Sequence, residues 1–423
     1  MQLQAVGSHF GISFAAITHV GMRRGNNQDN VLAAPALTAE QWRKQGHLFV
    51  VADGMGAHAA GELASKLATD VVLQTYRKHP GPPQQALVEA IQEANRQIHL
   101  RGQADEEFRG MGTTVCALVL LPGRAVLANV GDSRIYRLRQ GVLEQLTFDH
   151  SLLWELRAAN SFGWGEDQLV GIPRNVITRS LGPHPEVKVD VYCLTDLQAG
   201  DTFVLCSDGL SGPVPDDQIG KVVALFPPAE AARLLVHLAN YHGGPDNISV
   251  IVARVDKVEA SPSGRTEKAK RLPIFAAALA APSALLLAFL AAWVWFVHRT
   301  WWAFVALAGA LVLGFLGVVP LLKAGRKRES LSEEGVLRVG PYQSAPASPD
   351  APFAEALARA LDDLLRRGMQ EKWRVEWEKV QKFYDEGRQL WAQGLVTRAA
   401  KAYGEGFCRL MDQLFTPSSK QPS

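Results

Sequence analysis

The chain has 423 residues, too many for one ordinary domain, and the length points to two or three units. Its 44 Lys+Arg against 42 Asp+Glu argue against a nucleic-acid binder, which would carry a strongly basic face. Cys116, Cys193, Cys206 and Cys408 are scattered without a CxxC pair, so a disulfide framework or zinc site is not indicated, and reduced cytosolic thiols are the simpler reading.

The N-terminus, MQLQAVGSHF, lacks the charged region and apolar core of a secretory signal. From there to about Asp256, short β-branched apolar runs alternate with turns and helical stretches. HLFVVADG, TTVCALVL, AVLANVGDSRIY, DTFVLCSDG and NISVIVARV are expected to be buried strands. GELASKLATDVVLQTYRKH and PQQALVEAIQEANRQIHL carry apolar residues at helical spacing. The pattern predicts an α+β sandwich, two sheets sharing a core with helices outside.

Residues 257–272 are polar and basic and mark a linker. Two uncharged runs follow, from about Pro273 to Val297 and from about Trp301 to Leu322. Each is long enough to cross ~30 Å of hydrocarbon at about 1.5 Å per residue. Only His298, Arg299 and Thr300 separate them, which predicts a tight transmembrane hairpin over 273–322. Trp293, Trp295, Trp301 and Trp302 gather at the turn like an interfacial aromatic belt. Arg265, Lys268, Lys270 and Arg271 precede the hairpin, and Lys323, Arg326, Lys327 and Arg328 follow it. By the positive-inside rule both flanks are therefore expected on the cytoplasmic face. A basic and polar linker over 323–350 leads into a helical tail over 351–415. There Phe353, Leu357, Leu361, Leu364 and Leu365 form a stripe and Asp350 is placed to cap the helix. Gly387, Leu390, Gly394, Ala399 and Tyr403 have the spacing of a single tetratricopeptide unit, or equally of a small helical hairpin.

The chemistry-bearing feature is a set of acidic residues at strand ends: Asp53 in VVADGMG, Asp132 in ANVGDSR, Asp208 in LCSDGL and Asp246 in GGPDNIS. One Asp before Gly is ordinarily a turn residue; four in one domain point to carboxylates gathered at a sheet edge. Without cysteine or histidine ligands, such a cluster favours Mg²⁺ or Mn²⁺. GMRRGNNQDN adds Arg23 and Arg24 near Asp29, and a guanidinium fork beside divalent cations suits a phosphate dianion. Two such cations about 3.5–4 Å apart lower the pKa of a water and orient it for attack on phosphorus.

THVGMRRGNNQDN, FVVADGMGAHAAGE, GMGTTVCAL, ANVGDSRIYRL, LTFDHS, RSLG, VLCSDGLSG and GPDNISVIV, in that order, resemble the bacterial metal-dependent protein phosphatases, the PPM or type 2C family. The match covers about residues 12–255 and puts the catalytic domain at 1–256. It implies a four-layer α-β-β-α sandwich, followed here by the hairpin and a small all-α region. It also implies hydrolysis of phosphoserine and phosphothreonine in proteins by a metal-activated water at a binuclear Mn²⁺ or Mg²⁺ centre. Carried over by position, Asp53 would bridge the metals and the Gly54 carbonyl would bind the second. Asp208 and Asp246 would complete the first site, and Asp29 would act through water. Arg24, rather than Arg23, aligns with the phosphate-binding arginine, and Asp132 with a residue holding a third metal. Residues 151–175 would form a flap. Gln28 stands where members often have Glu. Gly212 stands where many have Asp, which implies a weak third site.

His58 is expected to fix a turn rather than donate a proton, and His150 to orient the flap. The expected setting is the cell inner membrane, opposite phosphoprotein substrates and a cognate membrane serine/threonine kinase. A non-catalytic phosphoprotein-binding scaffold and a phosphatase of small metabolites are the competing readings. Retention of Arg24, Asp53, Asp208 and Asp246 together speaks for catalysis.

Overall fold

The computed structural model describes residues 1–57, 59–159, 173, 176–258 and 342–415. Two antiparallel sheets face each other. One runs β1 (Gln2–His9), β2 (Ile12–His19), β12 (Ile248–Val255), β11 (Thr202–Cys206), β8 (Arg134–Arg139), β9 (Val142–Gln145) and β13 (Gln343–Pro346). The other runs β10 (Asp190–Leu194), β7 (Arg124–Val130), β6 (Val115–Leu121), β4 (His47–Met55) and β3 (Asp29–Ala34), with β5 (Gly112–Thr113) paired to the end of β4.

Central strands here are near-continuous apolar runs because both of their faces are covered. In β4, Phe49 and Val51 turn toward the opposite sheet, where they share a core with Phe14, Phe203 and Ile251. Leu48, Val50 and Ala52 turn outward under α2 (Ala60–Lys78) and α3 (Pro83–Ala104). In β12 the same alternation sends Ile251 inward, and Val250 and Val252 outward beneath α6 (Asp216–Leu225) and α7 (Pro228–Tyr241). The result is helices, sheet, sheet, helices, as the motifs imply. The described residues also include the short α1 (Ala39–Lys44), α4 (Leu152–Ala159) and α5 (Asp208–Ser211).

The C-terminal region does not stand apart from this sandwich. Of helices α8 (Ala351–Gln370), α9 (Trp377–Ala392) and α10 (Val396–Leu414), α10 packs on α7, and α8 and α9 pack on α10. Phe353, Leu357, Leu361, Leu364 and Leu365 bury their stripe in one cluster with Phe226, Leu234 and Leu238 of the sandwich. Asp350 caps α8 through the Phe353 N–H at 3.1 Å, and its carboxylate also meets Lys221 Nζ at 3.0 Å. Before α8, β13 pairs antiparallel with β9, Gln343 opposite Gln145 and Pro346 opposite Val142. As an outermost strand it tolerates a proline that lacks an N–H. The stretch expected as the end of a linker over 323–350 is thus a seventh strand. The described residues on both sides of 259–341 fall in one compact unit. Burial explains this: each large apolar side chain withdrawn from water contributes roughly 1.5–3 kcal/mol. An amphipathic three-helix segment alone would leave its stripe wet. In α9 and α10, Gly387 lies flat against the Tyr403 ring, the small-residue contact its spacing suggests. The surface that buries these helices is the chain's own sheet-covering helix α7 rather than further repeats.

The hairpin expected over 273–322 lies outside the described residues. Among the described residues, no helix is long and apolar enough to cross a membrane.

Candidate active site

The fold carries the strand-end aspartates to one edge of the sandwich. β3 and β4 pair with Asp29 directly opposite Asp53. Asp208 follows β11 and opens α5, and Asp246 lies two residues before β12, the neighbour of β11. Asp132 sits in the turn from β7 to β8. Like charges opposite one another across an antiparallel pair are destabilising. Asp29 and Asp53 therefore occupy positions that folding alone does not favour.

Their protonation equilibria register this crowding. Burial, then repulsion from Asp208 and Asp246, raises the Asp29 carboxyl to about 7, against the opposing pull of hydrogen bonds from Ser249 and Ser207. Burial and four neighbouring carboxylates, Asp29 first among them, push Asp53 well above its ordinary range. Burial, with repulsion from Asp208 and Asp149, raises Asp132 to about 7. Asp208 is raised by burial and by Asp246. Three buried oxygens, Asp29 Oδ1, Asp132 Oδ1 and Asp208 Oδ1, have no hydrogen-bond partner. An unsatisfied buried carboxylate oxygen costs free energy unless a proton or cation reaches it.

Around these groups the loops are tightly tied. Gly21, at φ +81°, packs its α-carbon against the Asp246 carbonyl, where a side chain would collide. His19 Nδ1 accepts the Gly21 N–H at 2.9 Å. Asn247 holds the next turn with its Nδ2 donating to the Val20 and Asn26 carbonyls at 2.9 and 3.0 Å; its Oδ1 accepts from the Gln28 N–H at 2.8 Å. Arg24, half exposed, reaches across to Asp246 with Nη2 to Oδ2 at 2.7 Å. Arg23 has no ion-pair partner among the described residues and lies near Gly243. The Asp53 carbonyl accepts from Thr114 N and Thr113 Oγ1, both at 2.9 Å, and its N–H donates to Thr114 Oγ1 at 3.0 Å. Gly54 is threaded between the Gly61 and Gln28 carbonyls, so no Cβ fits there.

Three positions that matter to the geometry escaped sequence reasoning. Asn247 reads as an ordinary turn residue. Asp149 and Asp216 face Arg134, Asp149 at 2.8 Å and Asp216 at 3.7 Å. With Asp132, Asp208, Gly212, Trp154 and Gln343 they line a cleft of about 310 Å³. The signal available was the FDHS motif, read only for its histidine. His150 is buried, accepting the Gly131 N–H at Nδ1 and facing Asp190 and Arg179 at Nε2, each contact 2.9 Å. It ties down the turn that carries Asp132 and has no opening to a substrate. His58 and most of the expected flap over 151–175 lie outside the described residues.

The family's sequence profile, protein phosphatase 2C, matches residues 23–241. The chain belongs to the protein phosphatase 2C family. It is accordingly a metal-dependent phosphatase of serine and threonine phosphoesters. Among its relatives, the serine/threonine phosphatase stp of Listeria monocytogenes is 36% identical over 215 residues, covering 49% of this chain and 84% of the relative. The crystal structure of the Mycobacterium tuberculosis serine/threonine phosphatase PstP/Ppp is 35% identical with a TM-score of 0.52, covering 58% of this chain and 99% of that one. The PstP catalytic domain in complex with 2 manganese ions aligns at a TM-score of 0.50, again 35% identical over 58% of this chain and 99% of that one.

The residues present fit a cation-binding 2C phosphatase. All the candidate donors are hard oxygens, several are buried without partners, and their mutual repulsion is what a divalent cation removes. Among the described residues, no three such side chains already close on a common point. Mg²⁺ and Mn²⁺ sites completed by water and backbone carbonyls do not require three.

Proposed function

We propose that the chain dephosphorylates phosphoserine and phosphothreonine in proteins at a membrane surface, through a binuclear Mn²⁺ or Mg²⁺ centre held by this carboxylate cluster. Asp53, Asp208 and Asp246 would hold the cations with the Gly54 carbonyl, and Asp29 would act through water. When bound, the cation pair supplies the Lewis acidity that lowers the pKa of a water for attack on phosphorus. Arg24 binds the substrate phosphate. One Nη2 contact anchors it to Asp246, and its half-exposed fork keeps further N–H donors for a dianion. Thr113 and Thr114 grip the Asp53 backbone from both sides and fix the carboxylate's direction. Asp132 and Asp208 share their cleft with Gly212, which contributes no carboxylate, so a third cation would bind weakly there.

The observation that carries this reading is the cross-strand pair Asp29–Asp53 with Asp208 and Asp246 brought to the same edge. Nothing in the site favours the alternative of a non-catalytic phosphoprotein scaffold. Full-length chain with Mn²⁺ should hydrolyse a phosphothreonine peptide, and Asp208→Asn should lower turnover at least about 10³-fold. Activity indifferent to chelation would defeat the metal mechanism.

The membrane part rests on the two uncharged runs and their basic flanks. It gains support from the common core of residues 1–258 and 342–415, because two flanks in one folded unit require an even number of crossings. Inner-membrane location with both flanks cytoplasmic, and opposition to a cognate membrane serine/threonine kinase, complete the proposal.

A further inference from the structure

A groove of about 320 Å³ opens where the C-terminal helices meet the loop between β2 and β3, walled by Met22, Tyr241, Leu364, Trp373, Leu414 and Phe415. It is a built surface. The Phe415 ring stacks on His237 at a centroid distance of 5.9 Å and meets His19 edge-on at 5.1 Å. Asp412, one turn earlier, accepts from His237 Nε2 at 2.9 Å and pairs with Arg233. Trp373 is held by its indole N–H on Glu371 at 2.8 Å. Met22 nonetheless leaves 51% of its surface in water on the groove's catalytic side.

That side is continuous with the active site by two routes. Met22 lies two residues from Arg24, a span of at most about 7 Å. Its N–H also donates to the Gly244 carbonyl at 2.8 Å, and Asp246, Arg24's partner, lies two residues further on. A phosphoprotein chain that runs from Arg24 toward the C-terminal helices passes its neighbouring residues over this opening. An extended chain advances ~3.3 Å per residue, so the side chain above the groove lies roughly two to four residues from the phosphorylated one.

We propose that the groove is a substrate-specificity subsite that takes an aliphatic or aromatic side chain of the phosphoprotein, two to four residues from the phosphoserine or phosphothreonine. It rests on the phosphatase reading above. Its volume is at the low end for ligand pockets and suits one large side chain. Most of its wall comes from the C-terminal region, outside the matched residues 23–241, so the preference belongs to that region and not to the shared catalytic part.

The test uses the full-length chain in detergent with Mn²⁺ and phosphothreonine peptides that differ only in Leu or Gly at each position from two to four residues on either side. At one position Leu should raise kcat/KM about tenfold over Gly, chiefly through KM. Met22→Asp and Trp373→Ala should each bring that ratio near one, and Met22→Leu should retain it. A ratio near one at every position in the unaltered enzyme overturns the proposal, as does a ratio that survives in both disruptive variants. If Met22→Asp instead shifts the particle mass by light scattering and leaves the ratio unchanged, a second copy covers the groove and the subsite is wrong. No turnover of either peptide or of p-nitrophenyl phosphate would overturn the phosphatase reading, and the subsite with it.

Discussion

At Asp53 catalysis and stability pull in opposite directions. Its carboxylate faces Asp29 across the β3–β4 pair and feels Asp208, Asp132 and Asp246 besides. Asp53→Asn keeps the shape and removes one charge, so turnover should fall at least about 10³-fold while the metal-free protein melts higher at pH 8. A lower melting temperature there would show that Asp53 is not under repulsion. The same crowding sets a pH dependence. Asp29 and Asp132 have folded pKa values of about 7, above the ordinary carboxylate value. The folded state thus holds protons that the unfolded chain releases, and their contribution is full below about pH 4 and lost as pH rises through about 7. Metal-free protein should therefore lose on the order of 10 °C in Tm between pH 5 and 8, and Mn²⁺ should restore it, as read by differential scanning calorimetry. A Tm flat across that range without metal would contradict this account. Asp53, Asp132 and Asp208 were legible because each follows an apolar run beside glycine, and Asp246 and Asp29 because each stands just ahead of one after a glycine-containing turn. Asn247 and Asp149 were not, because their roles depend on loops that meet only in the folded chain. Nothing local distinguishes an Asn that holds two carbonyls from one that merely turns.

Among the elements, β4 shows how strand and site constrain each other. Its buried run ends at Asp53, and the next residue passes between two backbone carbonyls. Gly54→Ala should therefore displace the β4 end and lower activity by at least about tenfold, with metal affinity weakened in a calorimetric titration; unchanged affinity would show that the backbone there is not critical. The central strands and the two long helices were legible from apolar runs and helical spacing, because both faces of a central strand are covered; AVLANVGDSRIY, expected as one strand, is two, β7 and β8, one in each sheet, and the largely exposed β1 carries no such run. The C-terminal helices were legible as helices but not as partners of α7. Amphipathic periodicity says that a face must be buried and not against what. β13 was hidden for a similar reason: four residues, QSAP, with no alternation, are a strand only because β9 offers an open edge.

Across the whole molecule, the shared core makes the C-terminal region part of the enzyme's stability. Phe407 is fully buried among residues from both sides of the intervening segment, and Phe407→Ala should cost about 3–5 kcal/mol, lowering the Tm of the full-length protein. A chain ending at Val258 would expose the outer faces of Phe226, Leu234 and Leu238, and should express as an aggregation-prone protein that residues 342–415 supplied in trans make soluble. The same contact constrains topology. Since β13 completes a sheet begun at β1, residues before 259 and after 341 must fold on one side of any bilayer. A cysteine placed at Ser330 and one at Gly264 should both be protected from a membrane-impermeant maleimide in intact cells and labelled after lysis. Labelling of either one alone in intact cells would mean an odd number of crossings, which the joint core does not permit.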